Sequence, residues 1–333
     1  MREWAQPPNG ETTWRRPVLV ATIGPASASI VVDLLEAGAD IFRLNTSHMV
    51  FDAVVEQFER TRAADPEVPI VLDLQGAKLR LGWFEPREIR RGERTRFELS
   101  VTSQGGIPLP HPELFAGVAP GDTITADDGR FHFAVRETGS DWCLTDALVG
   151  GVLGPRKGVN VSEHPVALED LTPADGRICD WASRLEQVGL ACSFMTDGRE
   201  SVWIRRRAPR ARVVGKVERR EAVDHIHSLE ASVDEVWVCR GDLGAQLGAV
   251  ELARWVAVHR PPPSGPPVFM AGQVLEHLTQ HLEPTRSEVC HLHDIVSRGY
   301  AGIVLSDETA IGRQPALAVR TAAGLLAALG AQR

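Results

Sequence analysis

With 333 residues, 43% of them hydrophobic and 24% charged, the chain is long enough to bury one large core or two ordinary ones, and no apolar run approaches the ~18 residues of a membrane span. A formal net charge of -8 argues against a general nucleic-acid or membrane binder. Five cysteines without CxxC spacing argue for a reducing cytoplasm rather than a disulfide framework.

Residues 1–16 lack the apolar core of a signal peptide and read as a flexible lead-in. Beyond them, apolar runs alternate with amphipathic stretches. Val18 to Gly24, Ile41 to Ser47, Ile70 to Gly76, Leu190 to Phe194, Val213 to Glu218, Val236 to Leu243, Val268 to Gln273 and Ile303 to Asp307 are eight candidate strands. Helical patterns follow most of them, such as Ile30 to Ala37 closed by Gly38, and Ala316 to Leu329 closed by Gly330. Eight alternating units predict an α/β protein, a (β/α)8 TIM barrel over 17–81 and 157–333. A doubly wound open sheet is the runner-up. Between them, residues 82–156 turn to short alternating runs, Thr95 to Leu99 and Arg130 to Val135, with Asp128-Gly129 as a hairpin turn. This small all-β domain, inserted after the third strand, is expected to act as a lid over a barrel active site.

Polar residues gather where the candidate strands end. Arg43, Asn45, Ser47 and His48 close the second; Asp73, Gln75 and Lys78 the third; Ser193 the fourth; Lys216 and Glu218 the fifth; Asp242 the sixth; Gln273 the seventh; Asp307, Glu308 and Thr309 the eighth. Structural polar residues would be spread over both ends of a barrel, whereas catalytic groups collect at this one. Of 36 Lys plus Arg, only Lys78, Lys157 and Lys216 are lysines, positions that keep a compact ammonium against a strong Arg bias. Glu218, Asp242 and Lys216 on one rim would hold a hard cation through oxygen and set an ammonium beside it. Structural salt bridges are the plainer alternative.

Taken together, Thr22 to Ser27, Arg43 to His48, Leu72 to Gly76, Lys157 to Asn160, Lys216 to Glu218, Arg240 to Gly244, Pro284 to Glu288 and Leu305 to Ala310 resemble, in order, the signature blocks of the pyruvate kinase family. That resemblance implies a barrel with a mobile β lid and phosphoryl transfer between phosphoenolpyruvate, or a related enol phosphate, and a nucleoside diphosphate such as ADP. It implies Mg2+ or Mn2+ on Glu218 and Asp242, and Lys216 and Arg43 as catalytic cations. Gly241, Asp242, Gly272 and Ser193 correspond to substrate-binding positions, with backbone N–H groups of Gly241 and Asp242 facing the substrate carboxylate. Arg43, His48, Pro25 and Lys157 correspond to the nucleotide and phosphate side. Asn45, Ser47 and Asp73 match a monovalent-cation pocket, and Lys78 stands where potassium-requiring members carry a glutamate, so no K+ requirement is expected.

The chain also departs from the family. Gly272 replaces the threonine whose hydroxyl helps bind the substrate carboxylate, a loss of roughly 1.5 to 3 kcal/mol. Thr46, Met49 and Asp307 replace a phenylalanine and two glycines, and Ser193 to Thr196 lack the family's arginine. The emptied carboxylate side favours an alternative, a metal-dependent lyase or aldolase acting through the enolate of a pyruvate-like 2-oxo acid. A non-enzymatic relic would be expected to have lost Lys216 or a metal carboxylate. The chain stops after the eighth helix, so the family's C-terminal regulatory domain, and control by sugar phosphates, are not expected; a homo-oligomer stays open. His277 with His281, His225 with His227, and His291 with His293 read as surface pairs. The basic run Arg205, Arg206, Arg207, Arg210 and Arg212 reads as a solvated loop rather than a nucleic-acid site.

Overall fold

The structure, a computed structural model, describes residues 17–101, 105–127, 129–161, 166 and 168–330. Two compact units divide the chain after Gly76 and again before Leu171. The lead-in lies outside the described residues.

The first unit is a closed barrel of eight parallel strands: β1 (Val18–Ile23), β2 (Ile41–Asn45), β3 (Ile70–Leu74), β4 (Val188–Cys192), β5 (Arg212–Val217), β6 (Glu235–Cys239), β7 (Val268–Ala271) and β8 (Gly302–Leu305). Each strand pairs with its sequence neighbours, and β1 closes the ring on β8. Strands covered on both faces need apolar residues on both, which is why they appear in the sequence as near-continuous Val, Ile and Leu runs. Val20, Ile41, Val71, Val214, Trp237 and Phe269 fill the barrel interior. The first predicted helix forms over Val31–Ala37, and Gly38 ends it in the left-handed conformation that its lack of Cβ permits (φ 111°). The last runs Pro315–Gly330.

The predicted strands overrun the observed ones by a residue or two, and the sixth overruns furthest. β6 stops at Cys239, and Arg240–Leu247 is a helix. Asp242 therefore sits in the first turn of that helix rather than on a strand end, where the helix dipole favours a carboxylate. The basic run is a loop only at Arg210, in the turn between helix and strand. Arg205, Arg206 and Arg207 end the helix Ser201–Arg207, and Arg212 opens β5.

The second unit, Ala77–Asp170, is wider than the alternating pattern alone suggests. Both its ends join its sheet, because Leu79–Arg80 pairs antiparallel with Gly158–Val161. The sheet continues through Thr123–Ala126, Phe131–Thr138, Trp142–Ala147, Arg94–Glu98 and Ile107–Pro108. Alternate residues bury a separate core around Phe97, Phe133, Ile124, Leu114 and Val159, with Phe97 edge-on to Phe133 at 5.0 Å. Gly129 turns the hairpin with φ 81°, while Asp128 lies outside the described residues.

Between β3 and the departure into this unit, Gly76 has φ 59°, and a Cβ there would stand 2.4 Å from the Ser193 carbonyl oxygen. Gly76→Ala therefore meets both a left-handed backbone and a backbone clash. An apparent destabilisation above about 2 kcal/mol is expected in urea unfolding, and an unchanged midpoint would refute this packing.

Candidate active site

Side chains alternate along a strand, so the residue two places beyond an interior apolar one also faces inward. From Val20, Ile41, Val71, Ala191 and Val214, all in the interior cluster, this rule leads to Thr22, Arg43, Asp73, Ser193 and Lys216. These five form one hydrogen-bonded group at the carboxyl ends of the strands. The Lys216 ammonium donates to both oxygens of Asp73 (3.1 Å each) and to Ser193 Oγ (2.9 Å), and pairs with Glu218 Oε1 at 2.9 Å. Arg43 grips the same Asp73 through Nε (2.7 Å) and Nη2 (2.5 Å) and reaches Thr22 Oγ1 through Nη1 (3.2 Å). Ser193 Oγ donates to the Leu74 carbonyl (2.8 Å), and the Thr46 hydroxyl to the Asp73 carbonyl (2.8 Å).

Burial sets the electrostatics. Asp73 is 1% exposed and Lys216 6%. Burial by itself would lower the Lys216 pKa, but Asp73 and Glu218 reverse this and hold it well above its ordinary value. Burial would raise Asp73, and Lys216 with Arg43 instead hold its carboxyl below the usual range. Two cations and two carboxylates thus neutralise one another inside a protein wall. Glu218, 2% exposed, accepts the Phe194 N–H on its second oxygen (2.9 Å).

Beside this group the helix Arg240–Leu247 begins. Gly272, φ 76°, lies against its start: a Cβ there would be 3.3 Å from the Gly241 nitrogen and 3.6 Å from that of Arg240. Arg240 fixes the turn by donating to the Gly272 carbonyl through Nε (3.0 Å) and Nη2 (2.8 Å) and also to the Gln273 carbonyl. Gly272 thus stands, without a side chain, against the Gly241 amide, one of the two that the resemblance assigns to a carboxylate. Asp242 is half-buried in the same first turn.

Residues 14–319 match the family profile described as "Pyruvate kinase, barrel domain". The chain belongs to the pyruvate kinase barrel family. A pyruvate kinase of Agrobacterium vitis is 32% identical over 320 residues, covering 90% of this chain and 66% of that protein; one of Methylorubrum extorquens is 31% identical over 322 residues, covering 92% and 67%. The chain thus spans about two thirds of the length of these relatives. A crystal structure of a pyruvate kinase from Cryptosporidium parvum superposes with a TM-score of 0.77 at 25% identity, over 95% of this chain and 69% of that one.

Other pyruvate kinase-like positions fall as follows. Asn45 uses its side-chain oxygen to accept the Ser47 N–H (3.3 Å), and Ser47 is buried. Pro25 is exposed on the turn after β1. His48 ends the short turn Thr46–His48, and its side chain lies outside the described residues. Lys78 and Lys157 belong to the second unit. There the Lys78 chain covers Gly158, where a Cβ would come 2.6 Å from Lys78 Cε, and Lys157 pairs with Asp127 at 2.8 Å. The rings of His277 and His281 stack 3.8 Å apart. His291 is half-buried, and burial with Arg240 and Arg298 lowers its pKa to about 4.

One participant escapes the sequence reading. Asp175 accepts the N–H groups of Gln75 (3.1 Å) and Gly76 (3.0 Å), pinning the turn that follows β3. Its own signal is faint: Thr172 caps the helix Pro173–Ala182 by accepting the Asp175 N–H. Burial lifts the Asp175 pKa to about 6 despite those hydrogen bonds.

Two outcomes follow. An acid raised from 3.8 to about 6 on folding binds more protons native than unfolded between those values, so its contribution to stability falls as pH rises through that window. Asp175→Asn should flatten that part of the stability-versus-pH curve, and an unchanged curve would exclude Asp175 as its source. Gly272→Thr forces a β-branched residue to φ 76° against the Gly241 nitrogen; a loss of about 1–2 kcal/mol in thermal or urea melts is expected.

Proposed function

We propose that this chain catalyses divalent-metal-dependent phosphoryl transfer between phosphoenolpyruvate, or a related enol phosphate, and a nucleoside diphosphate. The observation that carries the reading is the Lys216 ammonium held between Asp73 and Glu218, with Arg43 on the same Asp73. Phosphoryl transfer asks mainly for positioning and for positive charge where negative charge develops. Lys216, kept protonated by its two carboxylates, acts as a fixed charge rather than as a proton donor. Arg43 supplies a second one. The start of the helix Arg240–Leu247, bare at Gly272, receives the substrate carboxylate on the Gly241 and Asp242 amides.

Glu218 and Asp242 fit a hard cation in donor type, both being carboxylates with the buried Glu218 already oriented by the Phe194 N–H. Among the described residues no three His, Cys, Asp or Glu side chains form a cage. An ion on these two carboxylates would complete its shell with water or substrate oxygens, which is how Mg2+ commonly binds. When bound, it would neutralise charge on the enol and phosphoryl oxygens. Lys78, standing where potassium-requiring members carry a glutamate, supports a reaction that needs no K+.

Purified protein with phosphoenolpyruvate, ADP and Mg2+ should yield ATP in a phosphorus NMR time course, and should stop with EDTA. Lys216→Met should lower the rate by about 10²–10³-fold or more; full activity in that variant would remove Lys216 from the mechanism. No transfer by metal-loaded wild type would shift the assignment to enolate carbon chemistry on another 2-oxo acid. Replacing K+ with a bulky organic cation should leave the rate unchanged, and Lys78→Glu should create a K+ requirement. Strong activation of the wild type by K+ would overturn that part.

A further inference from the structure

The basic run from Arg205 to Arg212 takes no part in this site. It borders a cleft of about 800 Å³ at the amino-terminal ends of β4 and β5, the opposite ends from Lys216. That size lies within the ~300–1,000 Å³ range of small-molecule sites. Four arginines line it, Arg184, Arg205, Arg210 and Arg212, against the acids Glu186 and Asp234.

Two of the arginines are committed to the fold. Arg212 donates to buried Glu235 (3.2 Å) and to the Asp234 carbonyl (2.8 Å). Arg205 bridges the Asp234 carboxylate (3.2 Å) and the Ser232 carbonyl (3.3 Å), and that carboxylate also accepts the Val213 N–H (2.8 Å). The other two are not. Arg184 and Arg210 are exposed, and among the described residues no protein group meets either guanidinium. On the same wall Gln187 adopts a left-handed backbone (φ 52°), and its side-chain carbonyl oxygen is buried without a partner. A buried acceptor is ordinarily satisfied; this one is closed to solvent as it stands and meets a donor from the cleft by a turn of the Gln187 amide.

We propose that this cleft binds a small phosphate ester that also carries a hydroxyl group. The Arg184 and Arg210 forks take the phosphate, since planar guanidinium matches its oxygens two at a time. The Gln187 amide turns into the cleft, and the ligand hydroxyl donates to its Oε1. Glu186, the acid of the lining that makes no ion pair among the described residues, opposes the ligand's charge and weakens its binding.

Isothermal titration in EDTA with glycerol 3-phosphate, and with propyl phosphate as its hydroxyl-free counterpart, tests this. One ligand per chain is expected, glycerol 3-phosphate binding several-fold more tightly. The double variant Arg184→Ala/Arg210→Ala should lose at least about tenfold in affinity with an unchanged melting temperature, because neither side chain holds the fold. Glu186→Gln should tighten binding, so that a folding defect in the double variant would not leave the site untested. Lys216→Met should bind as wild type, which places the site away from the other rim. Unchanged affinity in both the double variant and Glu186→Gln, or loss of binding in a Lys216→Met protein that circular dichroism shows to be folded, overturns the proposal. Equal affinity for the two esters removes the role of Gln187.

Discussion

The polar group at the carboxyl ends of the barrel strands depends on one buried anion, Asp73, shared by two cations. Taking Lys216 and Asp73 out of water is costly, and their attraction offsets the cost only while the geometry is good and the remaining hydrogen bonds are made. Here they are, through Ser193, Arg43 and Glu218. Breaking such a group by removing one member strands a charge, typically at about 3–5 kcal/mol. The cluster therefore locks the ends of β2, β3, β4 and β5 together around a balanced set of buried charges.

The same alternation that puts these groups inward at one end puts others inward at the far end. Glu235, fully buried, accepts the Trp237 indole N–H (2.6 Å) and pairs with Arg212 (3.2 Å). Arg212 and Lys216 lie four residues apart on β5, with Val214 between them in the apolar interior. The barrel thus has charged layers at its two ends and an apolar middle that keeps water out. A low-dielectric middle raises the worth of each paired charge and the penalty for each unpaired one.

Glycine does specific work where chain segments meet. Gly24 allows the turn after β1 to approach the Ala310 backbone, where a Cβ would come within 2.6 Å of a carbonyl oxygen. Thr309 completes that junction by donating to the Thr22 carbonyl (2.8 Å), and Thr22 in turn donates to Leu305 (2.7 Å) while accepting from Arg43. The contacts that close the barrel between β1 and β8 therefore run directly into the cation cluster.

The barrel was legible in the sequence because its signal is local. Strands buried on both faces must be apolar throughout, and charged residues at their ends mark where each strand leaves the core. Those rules identify Lys216, Glu218, Asp73 and Arg43 without knowledge of their partners. They fail at Asp242, because the run from Val236 to Leu243 stays β-branched and apolar up to Cys239, while the helix that begins at Arg240 lies against the distant Gly272 turn, which local pattern does not reveal. They fail also at Asp175, a helix residue whose role consists of two backbone N–H groups a hundred positions earlier in the chain. The basic run is the third case: its five arginines look alike in sequence, and only the acids they meet, Asp234 for Arg205, Asp180 for Arg207 and Glu235 for Arg212, separate those held in the fold from Arg206 and Arg210, which meet no acid among the described residues. Which residues are charged, and roughly where each strand ends, is a property of the sequence; which charge meets which is decided by closure of the ring, since that alone brings β2, β3, β4 and β5 within hydrogen-bonding distance around one carboxylate.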